Sequence, residues 1–360
     1  MSPAFIALIV LWLGIIAYAV FGGADFGAGI WDLFAISKKA DKEHRFINHS
    51  LGPVWEANHV WLIFLIVGLF NIFPSAFSAL VIALFVPFSI VLIGLVLRGA
   101  AFVFHNYSTN MQGTPAKWWS YVFSITCFIT PFFLGTSAAS VASGHLVNAS
   151  GVANAGSFAP WTSPFALAIG VMAVTLCATL AAIYLAVEAH EAGNKEFADL
   201  FRRRAFIAGA ITAILGALGL LFSVSEAPIL WNGLLDHALP VAIITDVLGL
   251  ITAGLLLFRR YHLARVSIVA ATAFLLGSWG FSQYPYVIPP FYTVTNSANY
   301  PSVIVTVLIG ILIGVIILIP SFYYLFAVFK LPYPVPGRRK PSPPAKKQDA
   351  AQEQAQAVRS

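Results

Sequence analysis

Residues 4–22 read AFIALIVLWLGIIAYAVFG, nineteen residues with no charge and a single hydroxyl. A helix that crosses a bilayer needs about 20 mostly apolar residues, so this stretch predicts a membrane span. Stretches of the same kind recur near 54–73, 77–104, 118–142, 162–188, 205–224, 238–258, 264–282 and 301–329. The expectation is an all-α polytopic membrane protein of nine transmembrane helices over residues 1–330. Pro87 and Pro131 fall inside two of these stretches, and proline is tolerated in membrane helices. The connecting segments are too short to hold a separate soluble domain.

Composition points the same way. Hydrophobic residues make up 59% of the 360 residues and charged ones only 9%, where a soluble domain carries about 25%. Mean hydropathy is +0.85. Such a surface is solvated by lipid, which excludes a cytosolic enzyme, a secreted disulfide scaffold and a nucleic-acid-binding domain. The net charge of +6 would raise the question of nucleic acid, but too little polar surface exists to carry a basic patch. Cys127 and Cys177 both fall in apolar stretches and read as buried thiols. No Lys or Arg precedes Lys38, so a basic leader is missing and the first apolar stretch is expected to stay in the mature protein.

Cytoplasmic loops retain Lys and Arg. All 20 of them fall after spans one, three, five and seven, near the ends of those spans, or in the tail. None lies in the intervening loops at 74–76, 143–161, 225–237 or 283–300. The expected orientation has the amino terminus outside and the carboxyl terminus inside, in the cytoplasm. Residues 331–360, rich in Pro, Lys, Ala and Gln, read as a disordered basic cytoplasmic tail.

Ionisable groups inside spans cost roughly 2.5–3.5 kcal/mol each and need a reason. Asp25 follows span one within a glycine-rich run, FGGADFGAG at 21–29. Either it caps the next helical turn, or the close backbones hold a functional carboxylate against neighbouring helices. Glu56 lies in GPVWEANHVW at 52–61, the expected inner start of span two. Pro53 and an acid suit a first helical turn. Yet Trp55, Asn58 and His59 flank Glu56, and His59 is three residues on, hence on the same face. A carboxylate, an amide and an imidazole at an inner boundary suit a proton entry route better than a cap.

Glu56 and His59 also form half of a di-iron bundle motif, but no second Glu-x-x-His exists, so no metal site is expected. The other histidines, His105 apart, lie in loops or at span ends, with no mid-membrane pair to hold a haem. Arg98 lies about 9 Å inside the inner end of its span. It either snorkels to the interface or pairs with an inner carboxylate such as Asp25 or Glu56. Asp246 is the deepest acid, a helix–helix hydrogen-bond donor or a further member of a proton path. The outer loop QYPYVIPPFY at 283–292 reads as an interfacial aromatic belt, with a bound flat ring such as a quinone as the lesser reading.

Four blocks in this order, GADFG at 23–27, WEANHVWL at 55–62, LRGAAF at 97–102 and YPYVIP at 284–289, resemble subunit II of the cytochrome bd-type quinol oxidases. The resemblance implies two four-helix bundles plus one peripheral helix, and pairing with a larger homologous subunit I. It implies that subunit I carries haems b and d and the quinol-oxidising loop, that this chain ligates no cofactor, and that a structural quinone sits in the complex. The quinol is ubiquinol or another quinol. Glu56 and Asp25 then match acids of a cytoplasmic proton-uptake route, with Trp55, Asn58, His59 and Arg98 supporting them. Membrane acids would serve a proton-coupled secondary transporter equally well, but paired broken helices in two matching halves are missing.

Overall fold

The computed structural model describes residues 2–35, 40–107, 114–154, 156 and 158–330. Side chains at 41, 48, 49, 51–57, 102, 103, 105–107, 114–117, 322 and 325–330 lie outside the description, as does the tail expected at 331–360. The chain divides into two units, Met1–Gly314 and Val315–Ser360. In the second, residues 315–330 are helical. Apart from that helical stretch, everything that follows belongs to the first.

Helix α1 (Pro3–Leu33) begins on Ser2, whose hydroxyl accepts from the Phe5 amide at 3.3 Å, with Pro3 in the first turn. Its 31 residues span about 46 Å, longer than a bilayer core of about 30 Å. Helix α2 (Ala40–Ile72) starts well before the expected boundary at Pro53. Residues 40–50 are polar by composition but amphipathic in pattern: Glu43, Ile47 and Ser50 are buried, while Lys42 and Arg45 are exposed. Glu56 therefore lies deep within a helix, and first-turn capping does not account for it.

Helix α3 (Pro74–Ala83) leaves the 58–72 part of α2 at a bend of 119°. Pro74 starts it, and the expected span 77–104 is divided at Leu84 before α4 (Phe85–Tyr107). Pro87 causes the division, because it has no N–H to give the Ala83 carbonyl and its ring crowds that position. Then come α5 (Thr114–Ser143), the short α6 (Ala159–Thr162), α7 (Pro164–Glu191) and α8 (Lys195–Glu226). A further apolar passage, α9 (Pro228–Gly233), a π-helical turn at Leu234–Ala238 and α10 (Leu239–Leu257), leads to α11 (Tyr261–Gln283). The loop after α11 forms a small antiparallel hairpin, β1 (Tyr286–Ile288) and β2 (Tyr292–Thr293), before α12 (Pro301–Lys330). Seven helical passages among the described residues are long and apolar enough to span, eight if the bent α2–α3 pair counts as one. Phe85–Ala101 is a shorter apolar helix.

Helix α7 is the centre of the packing. Thr179–Ile183 and Leu185–Val187 are all buried, as a helix apolar on every side should be. Without a hydrophobic drive between helices in lipid, small residues let backbones approach. At Gly27 of α1 a methyl group would lie 2.0 Å from the Cys177 carbonyl oxygen of α7. Gly27→Ala is therefore expected to force the two helices apart and lower the yield of folded protein severalfold. Gly99→Ala, where a methyl meets nothing within 4 Å, should leave that yield unchanged. Size-exclusion profiles and thermal midpoints of the two variants in detergent check the pair.

Candidate functional site

One face of α1 carries chemistry instead of packing. Tyr18, Asp25 and Asp32 stand seven residues apart, two turns each, so they line one side of the helix. Gly22 and Gly29 lie between them on the same side and admit partners from other helices. A methyl on Gly22 would meet Asn58 Oδ1 at 2.9 Å, and one on Gly29 would meet Cys127 Sγ at 2.3 Å.

Asp25 is 4% exposed and sits at the heart of the site. Its Oδ1 accepts from Arg98 Nη2 in a buried ion pair, and its Oδ2 accepts from Asn58 Nδ2 at 3.2 Å. Arg98 is fully buried: its Nε donates to Cys127 Sγ at 3.1 Å, and its guanidinium lies 4.6 Å from the Phe26 ring centre and 5.1 Å from that of Phe123. Of the two readings of Arg98, pairing with Asp25 is the one observed. An arginine so held is a permanent cation, because guanidinium does not lose its proton in proteins. Tyr18 Oη, Asn58 Oδ1, Trp61 Nε1, Arg98 Nη1 and Thr130 Oγ1 are buried with no protein partner among the described residues. Pro131 adds to this polarity, since it cannot donate to the Cys127 carbonyl one turn earlier.

Two turns further along α1, Asp32 is also 4% exposed. His44 Nδ1 of α2 lies 2.6 Å from its Oδ1, donating in the tautomer with the proton there, and Ser124 Oγ of α5 donates to Oδ2 at 3.4 Å. Beside it, buried Glu43 is paired with Arg204 of α8, whose guanidinium lies 5.0 Å from the Trp31 ring centre.

The structure thus brings Asp25, Asn58 and Arg98 together, with half-buried His59 next along α2. Of the expected site residues, Glu56 and Trp55 have side chains outside the described residues. Asp246 is exposed midway along α10 and takes no part in the cluster. Asp32, His44, Ser124, Glu43 and Arg204 were not singled out from the sequence, although the seven-residue spacing from Asp25 to Asp32 carries the signal.

Among the described side chains, His44, His145, His190, His237 and His262 lie at helix ends or in loops and His59 lies inside a span, while those of His49 and His105 fall outside the description. No three His, Cys, Asp or Glu side chains converge among the described residues. At the amino-terminal end of α1, a cavity of about 280 Å³ is lined by Ser2, Phe5, Tyr284, Pro285, Val294 and Thr295. That is below the roughly 300–1,000 Å³ of small-molecule sites.

The sequence matches the family model described as cytochrome bd terminal oxidase subunit II over residues 3–329. A Bacillus subtilis (strain 168) relative named "Putative cytochrome bd menaquinol oxidase subunit II" is 26% identical over 91% of this chain and 96% of its own length. The cytochrome bd-I ubiquinol oxidase subunit 2 of Escherichia coli (strain K12) is 29% identical over 48% of this chain and 45% of its own. Among solved structures, a chain of the bd oxidase from Geobacillus thermodenitrificans matches with a TM-score of 0.79 at 26% identity, covering 92% of this chain and 100% of that one. The chain therefore belongs to the cytochrome bd terminal oxidase subunit II family, and is one subunit, alongside subunit I, of a terminal quinol:oxygen oxidoreductase of the respiratory chain.

Proposed function

We propose that this subunit carries protons from the cytoplasm into the oxidase, with Glu56 and Asp25 as the acids of the route and Asn58, His59, Arg98 and Trp55 supporting them. Haems b and d, placed in subunit I, supply electron transfer and dioxygen reduction. The electron donor is a quinol of the ubiquinol or menaquinol kind. The spans number nine, as two four-helix bundles and a peripheral helix, with the broken α3–α4 segment serving as the third. The bilayer is that of the bacterial inner membrane. The transporter reading loses its support to the family match over residues 3–329.

The observation that carries the reading is the buried Asp25–Arg98–Asn58 constellation, in which several polar atoms have no protein partner among the described residues. A structural ion pair needs its lone pairs and protons satisfied. A site that moves protons needs sites to spare. Making two waters from one dioxygen consumes four protons, and taking them from the inner side builds the gradient without a pump. Asp25 remains near one permanent charge, so a proton arriving from Glu56 meets a field set by Arg98. Asn58 orients the carboxylate on its other oxygen.

Orientation is the premise most open to test. Cysteines placed at Ala149 and Lys195 in the assembled complex are expected to label from outside and inside respectively with an impermeant maleimide. The reverse pattern at both positions would put Asp25 and Glu56 near the outer face and end the proton-uptake reading.

A further inference from the structure

We infer that Asp32, with His44 at its mouth, is where protons from water at the inner face enter the α1–α5 seam that leads to Asp25. The inference deepens the proton-uptake reading and rests on it. Among the described residues, three buried acids lie near the inner ends of α1 and α2, and their partners differ. Asp25 is paired with Arg98 and Glu43 with Arg204, both permanent cations. Asp32 has an imidazole instead, and an imidazole is the side chain that gains and loses a proton near neutral pH. A carboxylate placed for packing alone would gain from an arginine; one that must load and unload protons needs a titratable partner.

Position argues the same way. Asp32 stands in the last turn of α1, where the helix dipole disfavours an anion, and that turn holds no basic residue of its own. The His44 side chain is 35% exposed while that of Asp32 is 5% exposed, so the pair bridges water and interior. Above Asp32 the seam stays polar. Ser124 touches its carboxylate, and Cys127, one turn on along α5, rests against Gly29 and touches Arg98, the partner of Asp25. Among the described residues, the titratable and charged groups around Asp32 are His44 and Glu43 from α2, Cys127 from α5 and Arg204 from α8. Glu43 and Arg204 are occupied with each other.

The proton balance is simple. Water delivers a proton to Nε2 of His44 as the Nδ1 proton passes to Asp32 Oδ1, leaving a neutral imidazole and a neutral carboxyl. The carboxyl gives its proton to the Ser124 hydroxyl as that hydroxyl passes its own to a water in the seam, and the partly exposed His44 regains its starting tautomer by exchange with water, losing a proton at Nε2 and gaining one at Nδ1.

The test is oxygen reduction per haem in the assembled complex at about pH 6 and about pH 8.5, where protons are plentiful and scarce. Asp32→Asn is expected to slow turnover about fivefold at the higher pH and less at the lower, with a raised solvent isotope effect, while Asp32→Glu stays within about twofold of wild type. His44→Gln should show the same pH trend with a smaller loss. Because His44 is partly exposed, that variant decides the matter should Asp32→Asn fail to assemble. Wild-type rates at both pH values in Asp32→Asn or His44→Gln, beside a slow Glu56→Gln, would reject Asp32 as the entry while sparing proton uptake by the subunit. Wild-type rates in all three variants would reject both. A loss in His44→Gln equal at the two pH values would mean a packing role, and would also overturn the inference.

Discussion

Arg98→Met is expected to cut the yield of assembled, haem-bearing oxidase at least tenfold. Removing one partner of a buried ion pair leaves an uncompensated charge, at a cost of about 3–5 kcal/mol, and 1.4 kcal/mol is already a factor of ten. The substitution strands the Asp25 carboxylate between α1 and α2, where among the described residues Asn58 Nδ2 alone still donates to it. It also removes the guanidinium that bridges Cys127 on α5, Phe26 and Phe123. Arg98→Lys should not restore the yield, because an ammonium lacks the planar fork that holds Asp25 and Cys127 together while stacking on two rings. The double variant Asp25→Asn/Arg98→Met should recover part of it, since no lone charge is left buried. Haem per milligram of solubilised membrane protein and the thermal midpoint of the purified complex measure both effects. A normal yield in Arg98→Met would show that the pair is not the joint between α1, α4 and α5.

Glu56→Gln is expected to leave assembly and haem content intact and to slow oxygen reduction at least about tenfold. Gln keeps the size and hydrogen bonding of Glu but cannot take or release a proton, so only proton transfer is lost. Tenfold is about 1.4 kcal/mol on the barrier, modest for an essential relay group. Glu56→Asp should be milder, since the titrating group survives with a shorter reach. The position of Glu56 well inside α2 sharpens this expectation, because a first-turn cap would predict lost stability instead.

Much of this was legible in the sequence, and the exceptions have physical causes. Hydropathy finds apolar length, so it found the long helices; it does not see that Pro87 withholds a hydrogen bond from Ala83, and one predicted span became α3 and α4. It also passes over helix that is polar by composition. Residues 40–50 read as loop because charges crowd there, although Glu43, Ile47 and Ser50 recur at helical spacing and are buried. The pairing of Arg98 with Asp25 was one of two readings, since sequence separation of 73 residues says nothing of proximity. Asp32 went unremarked for a related reason. Beside a basic loop, an acid looks like an ordinary interfacial residue, and only its register with Asp25 and Tyr18 marks it out.

The central claim is that protons consumed in dioxygen reduction pass through the acids of this subunit. Its most direct test follows proton uptake and electron transfer together in a single turnover of the reduced complex, with a pH dye on the inner side of proteoliposomes and haem absorbance recorded in parallel. In Glu56→Gln the account predicts electron entry at the wild-type rate and proton uptake slowed at least about tenfold. Uptake at the wild-type rate from the inner side, in a complex with full haem content, would contradict it.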